Sequence, residues 1–438
     1  MLFEWTKAPL LALVCGLCLS AHAGANAQDA AEVFSVNVPQ SVATRPLGDL
    51  PGTQPAVQPE AGAATTGSLP QVPPQQAQEP GPSAPLAELP STTPVAGTKR
   101  IALLLPLRSA TLGPAADAVR AGFFAAYERE RQGIEVTLVA TGDAPQDVLA
   151  GYRNASASHD IVVGPLTRSG VTMLARSGEV MRPTIALTSP DYADGTNVRP
   201  PPLMLAMGLS IEDEARQVAE WAQRDHATAV AYVVYTPTAW QSRAARAFAE
   251  HWRRSGMAAE MVELELVDGF LSPNSLRDLR ARLEAEPNAF MFAALDAGLA
   301  RQLRESVGRQ YPLYGTSQLN PVALVDRAAS APIEVMEGAN LLDIPWQLQP
   351  DNPAVMAYPK RIVPADQRRN ADLERLYALG IDAYRVARRL AAEDTNFELD
   401  GVTGRLQVRF DRLGPYFART TQQAVYRDGS VTPMSALR

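Results

Sequence analysis

From residue 99 onward, short apolar runs alternate with stretches whose apolar residues recur every three or four positions. The run at 100–105 predicts a buried strand, and the stretch at 114–131 has small apolar residues at spacings of 4, 3 and 4, which is one face of a helix. Because this alternation continues for most of the chain, it predicts an α/β fold with mostly parallel sheets flanked by helices.

Further strands and helices are predicted by the same two periodicities. The strands are expected at 135–139, 160–163, 184–187, 229–235, 260–266, 289–294, 312–314, 338–344, 404–409 and 421–427. The helices are expected at 145–157, 168–180, 238–254, 275–285 and 371–392, with one more that starts after Ser210 as N-cap.

The strands fall into two series, which predicts two lobes with a cleft between them. The first lobe is expected to contain 99–206 with 333–396, and the second 207–332 with 397–438. A single large doubly wound domain is the alternative interpretation. Three acidic residues, 212–214, follow the N-cap Ser210, and a favourable interaction with the helix dipole accounts for them.

Residues 1–27 have the features of a secretory signal peptide. An apolar core at 8–19 precedes the small-x-small site Ala25–Ala27, so the mature chain is expected to begin near Gln28. A core of this length is short for a membrane span, which needs about 20 apolar residues. Cleavage therefore predicts a mature chain without a transmembrane segment, and an uncleaved inner-membrane anchor is the alternative.

Both cysteines of the chain, Cys15 and Cys18, lie inside this segment, and neither follows the small residue that lipidation requires. The sequence therefore predicts a soluble periplasmic protein that is not lipidated, with outer-membrane association left open. It also predicts that the mature chain has no disulfide and no cysteine metal site.

The segment 28–98 is predicted to be a disordered, Pro-rich linker. Residues 39–98 contain 13 Pro and only five charged residues, a composition that cannot bury a core and favours extended, polyproline-like conformations. A plain tether is one interpretation of this linker. A reach element or docking strip for a cell-wall partner is the other.

Composition excludes several classes of function. The chain has 438 residues, 40 Lys plus Arg against 47 Asp plus Glu and a formal charge of -7, so it has no basic footprint for nucleic acid. No S-x-x-K, G-x-S-x-G, phosphate-loop or H-E-x-x-H motif is present. The three histidines outside the signal peptide, His159, His226 and His251, are far apart in sequence. We therefore expect no enzyme, no cofactor and no metal site.

Five segments resemble the type I periplasmic-binding-protein fold, and within it the penicillin-binding-protein activator family. They are IALLLPLRSATLGPAADAVRAGFF at 101–124, VVGPLTRSGV at 162–171, PTIALTSP at 183–190, YALGIDAYRVARRL at 377–390 and GVTGRLQV at 401–408. The resemblance covers residues 99–438. It implies a regulator that binds a class A penicillin-binding protein and stimulates peptidoglycan synthesis.

Polar residues that follow the predicted strands are the candidates for a ligand site, because ligands of open α/β sheets bind at the carboxyl ends of the strands. They are Arg108, Ser109, Thr167, Arg168, Ser169, Thr188 and Ser189 in the first lobe, and Tyr235, Thr236 and Asp296 in the second. Resemblance to amino-acid-binding relatives implies that Ser169 and Thr188 would hold a ligand's carboxylate and amine. Capping of helices is the alternative role for all of them.

Three functions remain open at this stage. The first is the non-enzymatic activator of a class A penicillin-binding protein. The second is a solute-binding receptor that delivers an amino acid or small peptide to a transporter, and the third is a two-lobed sensor or scaffold. Two further residues are left with alternatives: Asp382 faces either solvent or the region between the lobes, and Trp240 either lines the cleft or packs in the core.

Overall fold

The fold follows from a computed structural model of the chain. It describes residues 97–191, 200–321, 334–363, 370–411 and 414–434. The predicted signal peptide and nearly all of the predicted linker lie outside the described residues.

The first sheet is parallel throughout. Its strands are β1 (Lys99–Leu105), β2 (Ile134–Ala140), β3 (Ile161–Val163), β4 (Thr184–Ala186) and β5 (Met204–Ala206). They lie in the order β2-β1-β3-β4-β5, and the helices are α1 (Gly113–Arg129), α2 (Pro145–Ser158) and α3 (Arg168–Ser177).

Strand β1 shows why this sheet is apolar along its length. Ile101, Leu103 and Leu105 belong to the core that contains α1, whereas Ala102 and Leu104 belong to the core beneath α2 and α3. Since successive side chains of a strand point to opposite faces, both faces of β1 are covered by helices and all five side chains are fully buried.

The second sheet has seven strands. They are β6 (Val230–Tyr235), β7 (Ala259–Glu263), β10 (Ala289–Ala293), β11 (Leu313–Gly315), β12 (Ala339–Asp343), β16 (Gln422–Arg427) and β17 (Ser430–Pro433), in the order β17-β16-β12-β11-β10-β6-β7. The first five are parallel to one another, whereas β16 pairs antiparallel with β12 and β17 pairs antiparallel with β16. Its helices are α4 (Ile211–Asp225), α5 (Ala239–Arg254), α6 (Pro273–Ala285) and α7 (Ala297–Val307).

The remaining elements lie around these two sheets. A hairpin is formed by β8 (Leu266–Val267) and β9 (Phe270–Leu271), and an antiparallel sheet by β13 (Asn396–Gly401), β14 (Gly404–Asp411) and β15 (Gly414–Thr420). The short helices α8 (Pro345–Leu348) and α9 (Pro353–Met356) precede the long helix α10 (Ala371–Ala391).

Helix α10 packs tightly against α1 because two glycines allow the helices to approach closely. A Cβ on Gly122 would lie 1.8 Å from the carbonyl oxygen of Tyr377, and one on Gly380 would lie 2.1 Å from that of Val119. Helix α10 thus belongs to the core of the first lobe, as the sequence predicts.

The two predicted lobes exist, but their predicted boundaries are wrong in two places. Strand β12, placed by the sequence in the first lobe with 333–396, pairs with β11 and β16 of the second sheet. Strands β13 to β15, placed in the second lobe with 397–438, contribute Phe397 and Leu406 to the core that contains α1 and α10. Strand partners are not local in sequence, so periodicity could not assign them.

The predicted strands and helices described above are otherwise confirmed to within a few residues, including the short strand β11. The sequence analysis missed β5, α7, β13, β15, β17 and the hairpin. It also extended one strand to 266, whereas β7 ends at Glu263 and the hairpin begins at Leu266.

Candidate functional site

The candidates after β1 are engaged in local structure. The Ser109 hydroxyl donates to the carboxylate of Asp143 at 2.7 Å and accepts the backbone N–H of Leu112 at 3.1 Å. These contacts fix the start of α1 to the loop after β2. Arg108 is exposed, and its backbone N–H donates to the carbonyl of Thr141.

The turn after β3 presents the N-terminus of α3. Thr167 is the N-cap and accepts the N–H of Gly170 at 3.2 Å, which is the capping role that the sequence analysis held as the alternative. Ser169 is half-buried in the first helical turn. Arg168 extends away from this turn toward the second lobe, where it meets Glu212.

Thr188 lies under the chain segment that leaves the first lobe. The Cα of Gly208 approaches so closely that an added Cβ would lie 2.5 Å from the Cα of Thr188. Thr188 is therefore 7 % exposed, while the adjacent Ser189 is half-buried.

The candidates of the second lobe lie at the start of α7 and at the end of β6. Asp296 is the N-cap of α7, and its Oδ1 accepts the N–H groups of Gly298 and Leu299 at 2.9 and 3.0 Å. Tyr235 has a raised pKa, first because of burial and then because of Glu263 beside it. Thr236 is fully buried, and its backbone N–H is held by Gln241.

A cavity of about 320 Å³ lies where Asp296 ends β10. It is lined by Thr238, Trp240, Gln241, Leu266, Gly269, Asp296, Gly298, Leu299 and Gln302. Trp240 is 6 % exposed, so it packs in the core, and the cavity it borders is lined by residues of the second lobe alone rather than being a cleft between the lobes. Of the ten candidates from the sequence, Asp296 alone lines this cavity.

An ion-paired carboxylate lies where the two lobes meet. Glu212, at the start of α4, accepts from Arg243 of α5 at 2.9 Å and lies 3.5 Å from Arg168 of the first lobe. Burial acts to raise the pKa of Glu212, but Arg168 and Arg243 outweigh it and the net pKa is lowered. The helix-dipole interpretation of this residue is therefore incomplete, because Glu212 also bridges the lobes.

A buried polar group joins α10 to the second lobe. Arg375 donates to both carboxylate oxygens of Asp343, at 3.0 and 2.7 Å, and to the carbonyl of Ser317 at 3.0 Å. Asn320 donates to Asp343 at 2.7 Å. We refer to these residues together with Glu214 as the junction cluster.

Glu214 is the unusual member of the junction cluster. Its carboxylate accepts the N–H of Ser317 at 2.8 Å, and the residue is 6 % exposed. Burial, reinforced by the nearby carboxylate of Asp343, raises the pKa of Glu214 to about 7, although Ser317 and Arg375 act in the opposite direction. Glu214 is thus a buried group rather than a solvated residue at a helix end.

A second buried cation holds two of the connections between the lobes together. Arg419, at the end of β15, donates to the carbonyls of Met207 and Gly208 and to the hydroxyl of Thr403. Burial lowers the pKa of Arg419 to about 10 despite nearby carboxylates. The side-chain amide of Gln217 in α4 donates a hydrogen bond to the backbone carbonyl of Arg419. The lobes are therefore linked by charged side chains as well as by the chain itself.

Asp382 lies in neither of the two environments predicted for it. It is fully buried on α10 and accepts the N–H groups of Val402 and Thr403 and the hydroxyl of Thr403 at 2.7 to 3.1 Å. Arg385 completes its set of partners at 3.2 Å. Asp382 thus fixes the turn between β13 and β14 to the core of the first lobe.

The sequence analysis overlooked Arg375, Asp343 and Arg419. The sequence held one indication for Arg375, because it lies within α10 directly beside the apolar Leu376. Asp343 and Arg419 look like ordinary residues at strand ends, and only the folded chain brings them to buried partners.

Among the described residues, no helix combines the length and apolarity needed to cross a membrane. Over the same residues, no three His, Cys, Asp or Glu side chains are grouped as a metal site would require.

Solved structures define the class of this fold. The C-domain of LpoA (YraM) from Haemophilus influenzae, described as a regulator of PBP1A, is 21% identical with a TM-score of 0.59, covering 77% of this chain and all of that one. A chain from Chromobacterium violaceum, described as "a putative branched-chain amino acid ABC transporter", is 34% identical with a TM-score of 0.58, covering 75% and 100%. Two lobes of mostly parallel strands, flanked by helices, define a type I periplasmic-binding-protein fold.

The chain belongs to the family described as "LppC putative lipoprotein", which it matches over residues 85–276 and 288–413. Penicillin-binding protein activator LpoA of Yersinia pseudotuberculosis is 25% identical, with 78% of this chain and 62% of the relative covered. The LpoA of an Enterobacter strain is 27% identical, with 69% and 45% covered. The resemblance to the activator family is thus confirmed, although the chain spans less than two thirds of the length of these relatives.

Proposed function

We propose that this protein is a non-enzymatic regulator in the periplasm that binds a class A penicillin-binding protein and stimulates peptidoglycan synthesis. The observation that carries the proposal is membership of the LppC family together with relatives named penicillin-binding protein activators. The geometry adds support, because three of the polar side chains at the strand ends already have partners within the chain: Thr167 and Asp296 cap helices, and Arg168 pairs with Glu212.

The absence of catalysis is part of the same proposal, and the histidines support it. His159 Nδ1 lies 2.9 Å from the carbonyl of Ala155, and His226 Nε2 lies 3.1 Å from the hydroxyl of Tyr314. His251 lies 3.7 Å from the carboxylate of Glu220 on an adjacent helix. Each imidazole thus has a structural partner, and the three are not grouped as a general base with a nucleophile.

The proposal also includes the location of the protein in the cell. We expect export by a cleaved signal peptide at 1–27 and a spacer at 28–98 that lets the two-lobed part reach its partner. The family description names lipoproteins, whereas Val14 and Leu17 precede the cysteines where a lipidation site needs a small residue. Palmitate labelling of cells that express the full chain, with the mass of the mature protein, tests this expectation.

The deciding experiment is binding of the mature chain to class A penicillin-binding-protein ectodomains of the source organism. Glycan polymerisation and crosslinking are followed in the same samples, and a shortened chain that begins at Lys99 is run beside it. We expect binding and a rise in at least one activity. A weaker effect of the shortened chain would give the linker a role. Failure of the mature chain to bind or stimulate any of the ectodomains would contradict the proposal.

A solute-binding receptor is the second candidate, and two observations favour it. The Chromobacterium violaceum chain is described as "a putative branched-chain amino acid ABC transporter". In addition, Nε of Arg168 is buried without a hydrogen-bond acceptor among the described residues, so it could donate to an anionic solute. The pairing of Arg168 with Glu212 argues against this candidate, because a carboxylate of the protein already lies beside the cation.

Thermal unfolding in the presence of amino acids and muropeptides separates the two candidates. A solute at 100 times its dissociation constant stabilises the folded state by about 2.7 kcal/mol. The receptor also requires that Ser169→Ala with Thr188→Ala abolishes binding, and unchanged affinity would remove both residues from the site. No shift with any solute would remove most of the support for the receptor.

A further inference from the structure

The hairpin of β8 and β9 projects an apolar pair of side chains. Val267 and Phe270 are directly opposite each other across its two strands. Between them, Asp268 and Gly269 have φ values of 51° and 82°, which are those of a two-residue turn with both residues in the left-handed region. Such a turn matches the twist of the strands, so the pair is held in one arrangement.

The exposure of this pair is high for apolar side chains. Phe270 is 65 % exposed, Val267 51 % and Leu266 36 %, whereas Leu264 and Leu271 at the base of the hairpin are buried. The described residues include nine exposed large apolar side chains, and three of them lie within residues 266–270. Grouped apolar exposure of this kind marks interaction surfaces more often than scattered apolar side chains do.

The base of the hairpin is anchored by hydrogen bonds. The N–H of Leu271 donates to Oε1 of Gln302 at 2.9 Å, and the N–H of Ser272 donates to the carbonyl of Glu265 at 2.8 Å. Because Gln302 belongs to α7 of the second lobe, the hairpin is fixed to a rigid element. A partner that binds here would lose little free energy in ordering it.

The cavity of about 320 Å³ lies directly beside the hairpin, since Leu266 and Gly269 form part of its wall. Asp296 is the one charged residue among those that line it. Both helix N–H groups bind Oδ1 of Asp296, and no described residue donates to Oδ2. The carboxylate therefore has acceptor capacity for a donor from outside the chain.

The hairpin adds further negative charge. Asp268 lies in its turn and Glu265 at its base, both are exposed, and neither forms an ion pair with another described residue. With Asp296, this surface has three carboxylates around an apolar ribbon. Complementarity of charge thus selects a partner that combines cationic with apolar side chains.

We infer that the hairpin and the adjacent cavity form a docking surface for a protein segment that carries Lys or Arg next to large apolar residues. The apolar residues of the segment contact Val267 and Phe270, and a cationic side chain enters the cavity toward Asp296. This surface goes beyond the proposed function, because it is defined by the chemistry of the partner rather than by its identity.

Three synthetic pentapeptides test the docking surface without a known partner. They are Ac-Leu-Arg-Leu-Arg-Leu-NH2, its Glu counterpart with both Arg replaced, and its Ser counterpart with all three Leu replaced. We expect the Leu-Arg peptide to bind the full chain at least tenfold more tightly than either counterpart, with hydrogen-exchange protection at 264–272 and 296–302. Its affinity should fall as salt is raised, because salt screens exposed charges.

Two substitutions assign the binding to this surface. We expect Phe270→Ser to weaken binding of the Leu-Arg peptide at least tenfold, and Asp296→Asn to weaken it about fivefold. Asparagine is as good an N-cap as aspartate, so the second substitution removes charge while keeping α7 capped. The matched controls are Ile362→Ser, at a side chain that is 91 % exposed elsewhere, and Asp351→Asn, at another exposed carboxylate.

Each result decides the inference. Equal binding of the three peptides, protection at other segments, or unchanged affinity in Phe270→Ser would overturn it. The result is independent of the activator proposal, since no penicillin-binding protein takes part in the measurement. Competition between the Leu-Arg peptide and a penicillin-binding-protein ectodomain would afterwards show whether the same surface serves that partner.

Discussion

The junction cluster and the hairpin carry similar side-chain chemistry in opposite surroundings. In the junction cluster, Arg375 and Asp343 are almost completely buried, and each has several polar partners within 3.0 Å. On the hairpin, Asp268 and Phe270 are exposed and have no such partners within the described residues. The difference follows from solvation, because a buried charge without a partner costs far more than an exposed one.

This comparison distinguishes the charged side chains that hold the lobes together from those that are available to a partner. Arg375 links α10 of the first lobe to the second sheet, and Glu212 links α4 to both Arg168 and Arg243. Their charges are already neutralised within the chain. The three carboxylates around the hairpin are not, so recognition by charge is expected there.

The largest effect is expected from Arg375→Met. The substitution leaves Asp343 charged and buried without its main partner, so we expect a loss of about 3–5 kcal/mol in the free energy of unfolding. Urea denaturation at pH 7 measures it. The matched control is Arg280→Met, which breaks an exposed i,i+4 pair with Glu284 and should cost less than about 0.5 kcal/mol. Similar losses in the two variants would mean that burial does not set the strength of the cluster.

The next effect is a pH dependence that arises from Glu214. Its pKa is about 7 in the folded chain and near the usual 4.5 when unfolded. Between these values the folded state holds the proton and the unfolded state does not, so stability falls as pH rises through this window, by up to about 3 kcal/mol. Above pH 7 this contribution becomes constant.

Glu214→Gln tests that sign, because glutamine keeps the oxygen that accepts the N–H of Ser317 but cannot ionise. The difference in free energy of unfolding between Glu214→Gln and the unchanged chain should grow in favour of the variant from pH 5 to pH 8. Exposed Glu220→Gln serves as the control. A constant difference across this range would show that Glu214 titrates normally.

A smaller loss is expected from Asp382→Ala. Two backbone N–H groups and the hydroxyl of Thr403 lose their shared acceptor, and buried donors without partners cost about 1–3 kcal/mol. Thermal unfolding followed by circular dichroism measures the change. Asp400→Ala, at an exposed position of the adjacent strand, is expected to be nearly neutral. If the two variants unfolded alike, the turn at 402–403 would not depend on Asp382.

The smallest effect on stability is expected at the hairpin. Val267→Ser combined with Phe270→Ser replaces side chains that are already largely in water, so the free energy of unfolding should change by less than about 0.5 kcal/mol. Urea denaturation of the double variant is the measurement. A loss above about 2 kcal/mol would show that these side chains support the fold rather than await a partner.

The interior strands and the long helices could be predicted because their signal is local. The run from Ile101 to Leu105 is apolar at every position since helices cover both faces, and Ser210 is an N-cap in the structure as in the sequence. Strand β15 was missed because its apolar residues are interrupted by Arg419, whose partners, the carbonyls of Met207 and Gly208, come from elsewhere in the fold.

The candidate site was predictable only in part. The rule that ligands bind at strand ends led to Asp296, which borders a cavity and caps α7. It could not show that the Ser109 hydroxyl is held by Asp143, or that Gly208 covers Thr188. Those contacts join residues that are distant in sequence, so no pattern of spacing contains them.

By itself, the sequence determined the class of fold, the alternation of strands and helices and the resemblance to the activator family, because these depend on local periodicity and short motifs. Tertiary structure alone decided which lobe each late strand joins, which charges are buried as pairs and which carboxylates stay free. Strand pairing and desolvation act between residues far apart in the chain, and only folding brings Arg375 to Asp343 or places Phe270 in water beside Asp296.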